Sequence, residues 1–197
     1  MSFTYAARVL CAVAALCTTT ALSSAQTITD IVASSGEFDN DRRDYDILLD
    51  FVLAAGLAET LADENANFTV FAPNDGAFLK LAADFGVVTN DEQVAAEAIK
   101  SVLATLDENG DFVPPLTLVL TYHVVPQRVN FFGFIVLSFF QVNVETVQGG
   151  TFLPRYFKIV DNDPDFRNPR LTFPVNVHAD NGIIHTVNRV LIPIDLP

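Results

Sequence analysis

The chain has 197 residues, half of them hydrophobic, which is enough for a sizeable core and excludes an intrinsically disordered protein. Against 11 basic residues it carries 24 acidic ones, for a net charge of −13. That field disfavours nucleic acid and anionic membrane surfaces as partners, because their phosphates demand Lys and Arg.

The N-terminus reads as an export signal. Arg8 gives it a positive start, Val9 to Cys17 an apolar centre, and Ser23-Ser24-Ala25 a small-residue cleavage site. The apolar run stops at Thr18, too early for a membrane-spanning helix. Cleavage after Ala25 leaves a single domain, residues 26–197, with ten basic and 24 acidic residues, a net charge of −14. Both cysteines, Cys11 and Cys17, leave with the signal, so packing alone must hold the mature chain.

A short helix is predicted from about Thr29, then a polar stretch from Ser34 to Asp41. Ile47, Leu48, Phe51, Val52 and Ala55 share one face of a following helix, capped by Asp44 or Asp46 and ended by Gly56. Phe68 to Ala72 alternates as a strand and Pro73 breaks it, with Asn74 or Asp75 placed to cap the next helix. Asn90 and Gln93 form a capping-box pattern for a helix through Val94, Ala98, Val102 and Leu106. After Pro114-Pro115, helical spacing runs through Leu116, Val119, Leu120 and His123.

The second half reads as mainly β. Val142 to Val147 alternates, and Thr151 to Val160 forms a strand or strand pair. Val175 to Ala179 and Ile183 to Ile192 flank a hairpin signal, Asp180-Asn181-Gly182. Helices first and sheet second give an α+β class, with no internal repeat to divide it.

Three segments in order resemble the motifs of fasciclin domains. Phe68 to Phe78 resembles the first signature, Leu120 to Pro126 the central Tyr-His motif, and Asn181 to Pro193 the second signature. Asn188 stands where members commonly carry Asp, and the stretch before the second signature is long and unusually apolar. The resemblance implies a fasciclin-type fold, with N-terminal helices packed beside a β-sandwich-like wedge. It also implies a non-catalytic role in cell adhesion or extracellular-matrix interaction, protein binding included, and Tyr122-His123 as a contact region. The structural alternative for that pair is internal hydrogen bonding within an apolar run.

Catalytic machinery is not found: the mature chain lacks cysteine and a Gly-x-Ser-x-Gly elbow. His123, His178 and His185 are the three histidines. A two-residue turn at Asn181-Gly182 would set His178 opposite His185, within reach of a shared metal. A three-residue Asp180-Asn181-Gly182 loop would instead pair His178 with Ile184 and His185 with Val177. The resemblance gives His185 a structural role, and neither a metal nor a cofactor is assigned. Asp107 to Asp111 begins like a calcium loop but lacks the later bidentate Glu, and reads as a turn. Asp161 to Asp165 reads as a solvated acidic loop. Asn67-Phe68-Thr69 is a glycosylation sequon at Asn67.

The most distinctive segment is Phe131 to Phe140, interrupted only by Gly133 and Ser138 and too short to span a bilayer as a helix. It reads as a core-facing helix or strand; exposed, it would be a contact patch for a partner, a lipid tail or self-association. Its candidate contact residues are Phe132, Phe134 and Phe139. The expected function is secreted and adhesive, directed at an extracellular or cell-surface protein or glycan. In a bacterium the chain would be periplasmic or held at the surface. The alternative is a carrier of a small apolar ligand or lipid in a phenylalanine-lined cavity. The last residues, Ile192 to Pro197, form no hydrophobic tail, so no lipid anchor is expected.

Overall fold

The structure, a computed structural model, describes residues 26–193. The predicted signal at 1–25 lies outside the described residues. Seven helices and seven strands follow in the order α1 (Ile28–Ala33), α2 (Asp46–Ala54), α3 (Ala58–Ala62), β1 (Phe68–Pro73), α4 (Asp75–Asp84), α5 (Glu92–Ala104), α6 (Val113–Tyr122), β2 (Val124–Val125), α7 (Phe131–Phe140), β3 (Val144–Glu145), β4 (Thr151–Arg155), β5 (Lys158–Val160), β6 (Val177–Ala179) and β7 (Gly182–Val187). The α+β reading holds.

The four-stranded sheet runs β2-β1-β7-β6. Its centre is a parallel pair, in which Phe68 to Pro73 of β1 face Gly182 to Val187 of β7. The edge strands are antiparallel, β2 on β1 and β6 on β7. A second sheet, β3-β4-β5, is antiparallel throughout. The bridges Lys158 to Arg170 and Leu171 to Val187 tie its edge back to β7.

Alternation along β1 divides the interior in two. Val70 and Ala72 face a helical core with Ile28, Phe51, Phe78, Ile99 and Leu116. Phe71, pointing the other way, joins Tyr122, Val125, Phe134, Phe152 and Val187 in a core between the sheets. Both faces of β1 and β7 are therefore covered, as parallel strands require. Phe71 meets Phe152 edge to face at 5.2 Å, and Phe51 meets Phe78 in the same way at 5.2 Å.

Two capping expectations are corrected. Neither Asp44 nor Asp46 caps α2; its first amides, on Asp46 and Ile47, donate to the carboxylate of Asp75 at 3.2 and 2.9 Å. The cap thus comes from across the core, at the start of α4, while Asn74 caps α4 itself. Helix α5 is capped by Asp91, which accepts from the Val94 amide at 3.1 Å, and Asn90 instead accepts from Arg42.

The hairpin is also one residue off both expectations. Its turn is Asp180-Asn181, with His178 opposite Ile183 and Gly182 already inside β7. Gly182 serves close approach instead of a turn: a Cβ there would lie 2.4 Å from the Phe68 carbonyl oxygen and 2.6 Å from Ile28 Cδ1. Buried Asn181 accepts from the Ile28 amide at 2.9 Å and donates to the Leu61 and Asp63 carbonyls at 2.8 and 3.1 Å.

Candidate functional site

Tyr122 and His123 sit at the C-terminal end of α6, and both are buried. The Tyr122 hydroxyl donates to the Thr151 carbonyl at 2.8 Å, and burial raises its pKa. His123 Nδ1–H donates to the Val119 carbonyl at 2.8 Å, and its Nε2 accepts the Leu191 amide at 2.9 Å. With both ring nitrogens engaged the imidazole is neutral, and burial holds its pKa down to about 4. The expected contact pair is thus an internal fastener between α6, β4 and the chain after β7, with no surface to offer.

Helix α7 is where apolar surface reaches solvent. Asn130 caps it by accepting from the Gly133 amide at 2.8 Å, and Phe134 and Ser138, one turn apart, are its buried residues. Phe134 packs on Phe71 at 5.7 Å; buried in the core between the sheets, it cannot touch a partner. Ser138 Oγ accepts from the Tyr156 amide and anchors the helix to the β4–β5 turn. The opposite face is bare: Phe132, Phe139 and Phe140 are 75%, 74% and 70% exposed, with Val136 beside them. Phe131 leans on the exposed Phe157 at 5.8 Å, extending the apolar surface toward the second sheet. The core-facing expectation for this segment is therefore right for one face and wrong for the other.

The remaining candidates resolve differently. His185 stacks on Phe71 at 5.6 Å, donates through Nε2 to the Val129 carbonyl at 2.9 Å and accepts at Nδ1 from the Asn176 amide at 3.2 Å. It has no lone pair left for a metal. His178 is exposed, its Nε2 3.0 Å from the Asn176 side-chain amide. In the loop from Asp107 to Asp111, the Asp107 carboxylate accepts from the Asn109 amide at 2.8 Å, which makes it a turn. Asp163 accepts from the Asp165 and Phe166 amides, and Asp161 from the Ile192 amide at 3.0 Å. Asn67 is exposed beside the first residue of β1.

Two enclosed apolar cavities, one against Ile28, Leu48 and Val124 and one against Phe51, Phe78 and Ile99, measure about 30 and 10 Å³. Ligand pockets are typically some 300 Å³ or more, so neither holds a lipid tail. Among the described residues no helix is long and apolar enough to cross a membrane.

With this geometry in place, the family is decided by one match: the model of the Fasciclin domain fits residues 43–193. The chain belongs to the fasciclin family. Synechocystis sp. is the source of two similar proteins. Protein sll1483 is 32% identical over 173 residues, covering 88% of this chain and 77% of its own length. The uncharacterized protein sll1735 is 31% identical over 150 residues, covering 75% and 89%. Among solved structures, the FAS1 domain pair of the insect cell adhesion molecule fasciclin I superposes with a TM-score of 0.58 at 15% identity. That match covers 85% of this chain, which spans about half, 51%, of the length of the pair. It shows the fold. Fasciclin domains occur in extracellular and cell-surface proteins, serve adhesion-related roles and are generally non-enzymatic.

Proposed function

We propose that this chain is an exported, non-catalytic contact module acting in adhesion at a cell surface or in extracellular matrix, and that it docks through the outer face of α7. The carrying observation is that Phe132, Phe139 and Phe140 stay at least 70% exposed on one short helix. A fixed apolar patch in a folded monomer usually marks an interaction site. The net charge of −13 disfavours a second copy and anionic lipid, and favours an extracellular protein whose apolar patch carries a basic rim. The family's adhesion-related roles point the same way.

The test compares wild type with the double variant Phe132→Ser/Phe139→Ser for retention on the surface of the native host cells. The variant should melt with the wild type and lose retention. Unchanged retention would overturn the docking face. Concentration-dependent dimerisation in the ultracentrifuge, or binding to anionic vesicles, would replace the protein partner.

A further inference from the structure

Five carboxylates far apart in sequence converge where the loop before α2 meets the first turns of α2, α4 and α5. Asp39, Asp46 and Glu92 offer oxygens within 4.8 Å of one another, and so do Asp44, Asp75 and Glu92. Glu92 belongs to both sets. Asp46, Asp75 and Glu92 are buried, Asp46 being only 3% exposed.

Hydrogen bonding in this cluster is incomplete. Asp75 is spent on the α2 amides, and one Glu92 oxygen accepts from the Asp39 and Asn40 amides at 3.1 and 2.9 Å. The other Glu92 oxygen, both oxygens of Asp46 and one of Asp44 are buried and have no donor. None of the three ion pairs among the described residues reaches the cluster: Lys100 goes to Asp50 and Glu97, and Arg189 to Asp84. The neighbouring Arg42 turns its guanidinium to Asn90. Burial and mutual repulsion push Asp46 up to about 6, and burial raises Glu92. Buried charges of one sign without a counter-charge are costly, which is the condition a bound cation relieves.

We propose that Asp39, Asp46 and Glu92 bind one calcium ion, which pins the loop before α2 to the starts of α2 and α5. An all-oxygen, carboxylate-rich donor set suits a hard cation, and no imidazole or thiolate competes. Calcium–oxygen distances of about 2.4 Å put opposite ligands about 4.8 Å apart, and calcium accepts irregular sets that magnesium does not. Asp46 also lines an open pocket of about 340 Å³ with Gly36, Glu37 and Phe38, which gives the ion a way in.

The experiment titrates calcium into chelator-stripped full-length protein at neutral pH, by calorimetry and by thermal melting. One calcium per chain is expected, with a melting rise of about 5–10 °C at a hundredfold excess over Kd. Magnesium at the same concentration should shift melting far less. Asp46→Asn and Glu92→Gln should each abolish the calcium shift. Exposed Asp39→Asn, the variant least able to disturb folding, should weaken binding at least tenfold. Absence of calcium heat and shift in the wild type would overturn the proposal, leaving protons shared among the carboxylates. A shift that survives in all three variants would overturn it too, as diffuse binding to an acidic surface.

Discussion

The Leu191 amide donates to Nε2 of His123 at 2.9 Å, inside an interior whose burial of the imidazole makes the protein sensitive to acid. Protonating the ring would set two N–H groups against each other. The folded pKa is lowered from 6.5 to about 4, so between those values the unfolded chain binds the extra proton. The contribution is therefore complete above pH 6.5 and is lost as pH falls to about 4, at ~1.4 kcal/mol per pH unit and on the order of 3 kcal/mol in all. Denaturant unfolding of wild type and His123→Gln from pH 7 to 4 isolates it, because other titrating groups are common to both. The variant should show the shallower dependence; parallel curves would count against the assignment.

Removing the Tyr122 hydroxyl tests the neighbouring fastener. Tyr122→Phe loses the 2.8 Å bond to Thr151 and leaves that carbonyl short of a donor, while the enclosed ring keeps its packing. A loss of about 1–2 kcal/mol is expected in chemical denaturation. Surface retention should be unchanged, since neither residue of the pair reaches solvent.

On α7, stability and docking should separate by face. Phe134→Ala opens a cavity beside Phe71 and should cost about 3–5 kcal/mol. Phe132→Ser, on the exposed face, should stay within about 0.5 kcal/mol of wild type. Equal losses in melts of the two variants would mean that the outer face is packed after all.

At the β6–β7 turn, Gly182→Ala should destabilise by about 1–3 kcal/mol, because its methyl group meets backbone at 2.4 Å. Asn181→Ala should cost at least as much, since it strands the Ile28 amide and the Leu61 carbonyl in the interior. Urea midpoints for the two variants check both figures.

Much of this architecture is legible in local sequence. The alternation of Phe68 to Ala72 and the Pro73 break with Asn74 or Asp75 as the following cap need only neighbours a few residues apart. The parallel pairing of β1 with β7 is invisible in that way, since no short-range pattern says which distant strand lies alongside. Asp75 as the cap of α2 is hidden for the same reason: its partners, Asp46 and Ile47, are some 29 residues earlier. Helix α7 defeats periodicity differently, because apolar residues occupy every face and only the tertiary fold selects Phe134 and Ser138 for burial. The carboxylate cluster is drawn from residues 39 to 92 and has no contiguous signature, unlike the acidic runs Asp107 to Asp111 and Asp161 to Asp165.

The central pairing has a kinetic consequence. Asn181 reaches Ile28 across 153 residues, and β7 lies in the middle of the sheet, between β1 and β6. Truncation before Gly182 would therefore split the sheet through its middle instead of trimming an edge. A growing chain cannot close either core until almost all of it has been synthesised. Such long-range closure makes folding slow and leaves the core phenylalanines Phe71, Phe134 and Phe152 uncovered in the meantime. The chain is thus at greatest risk of aggregation before its last strand arrives.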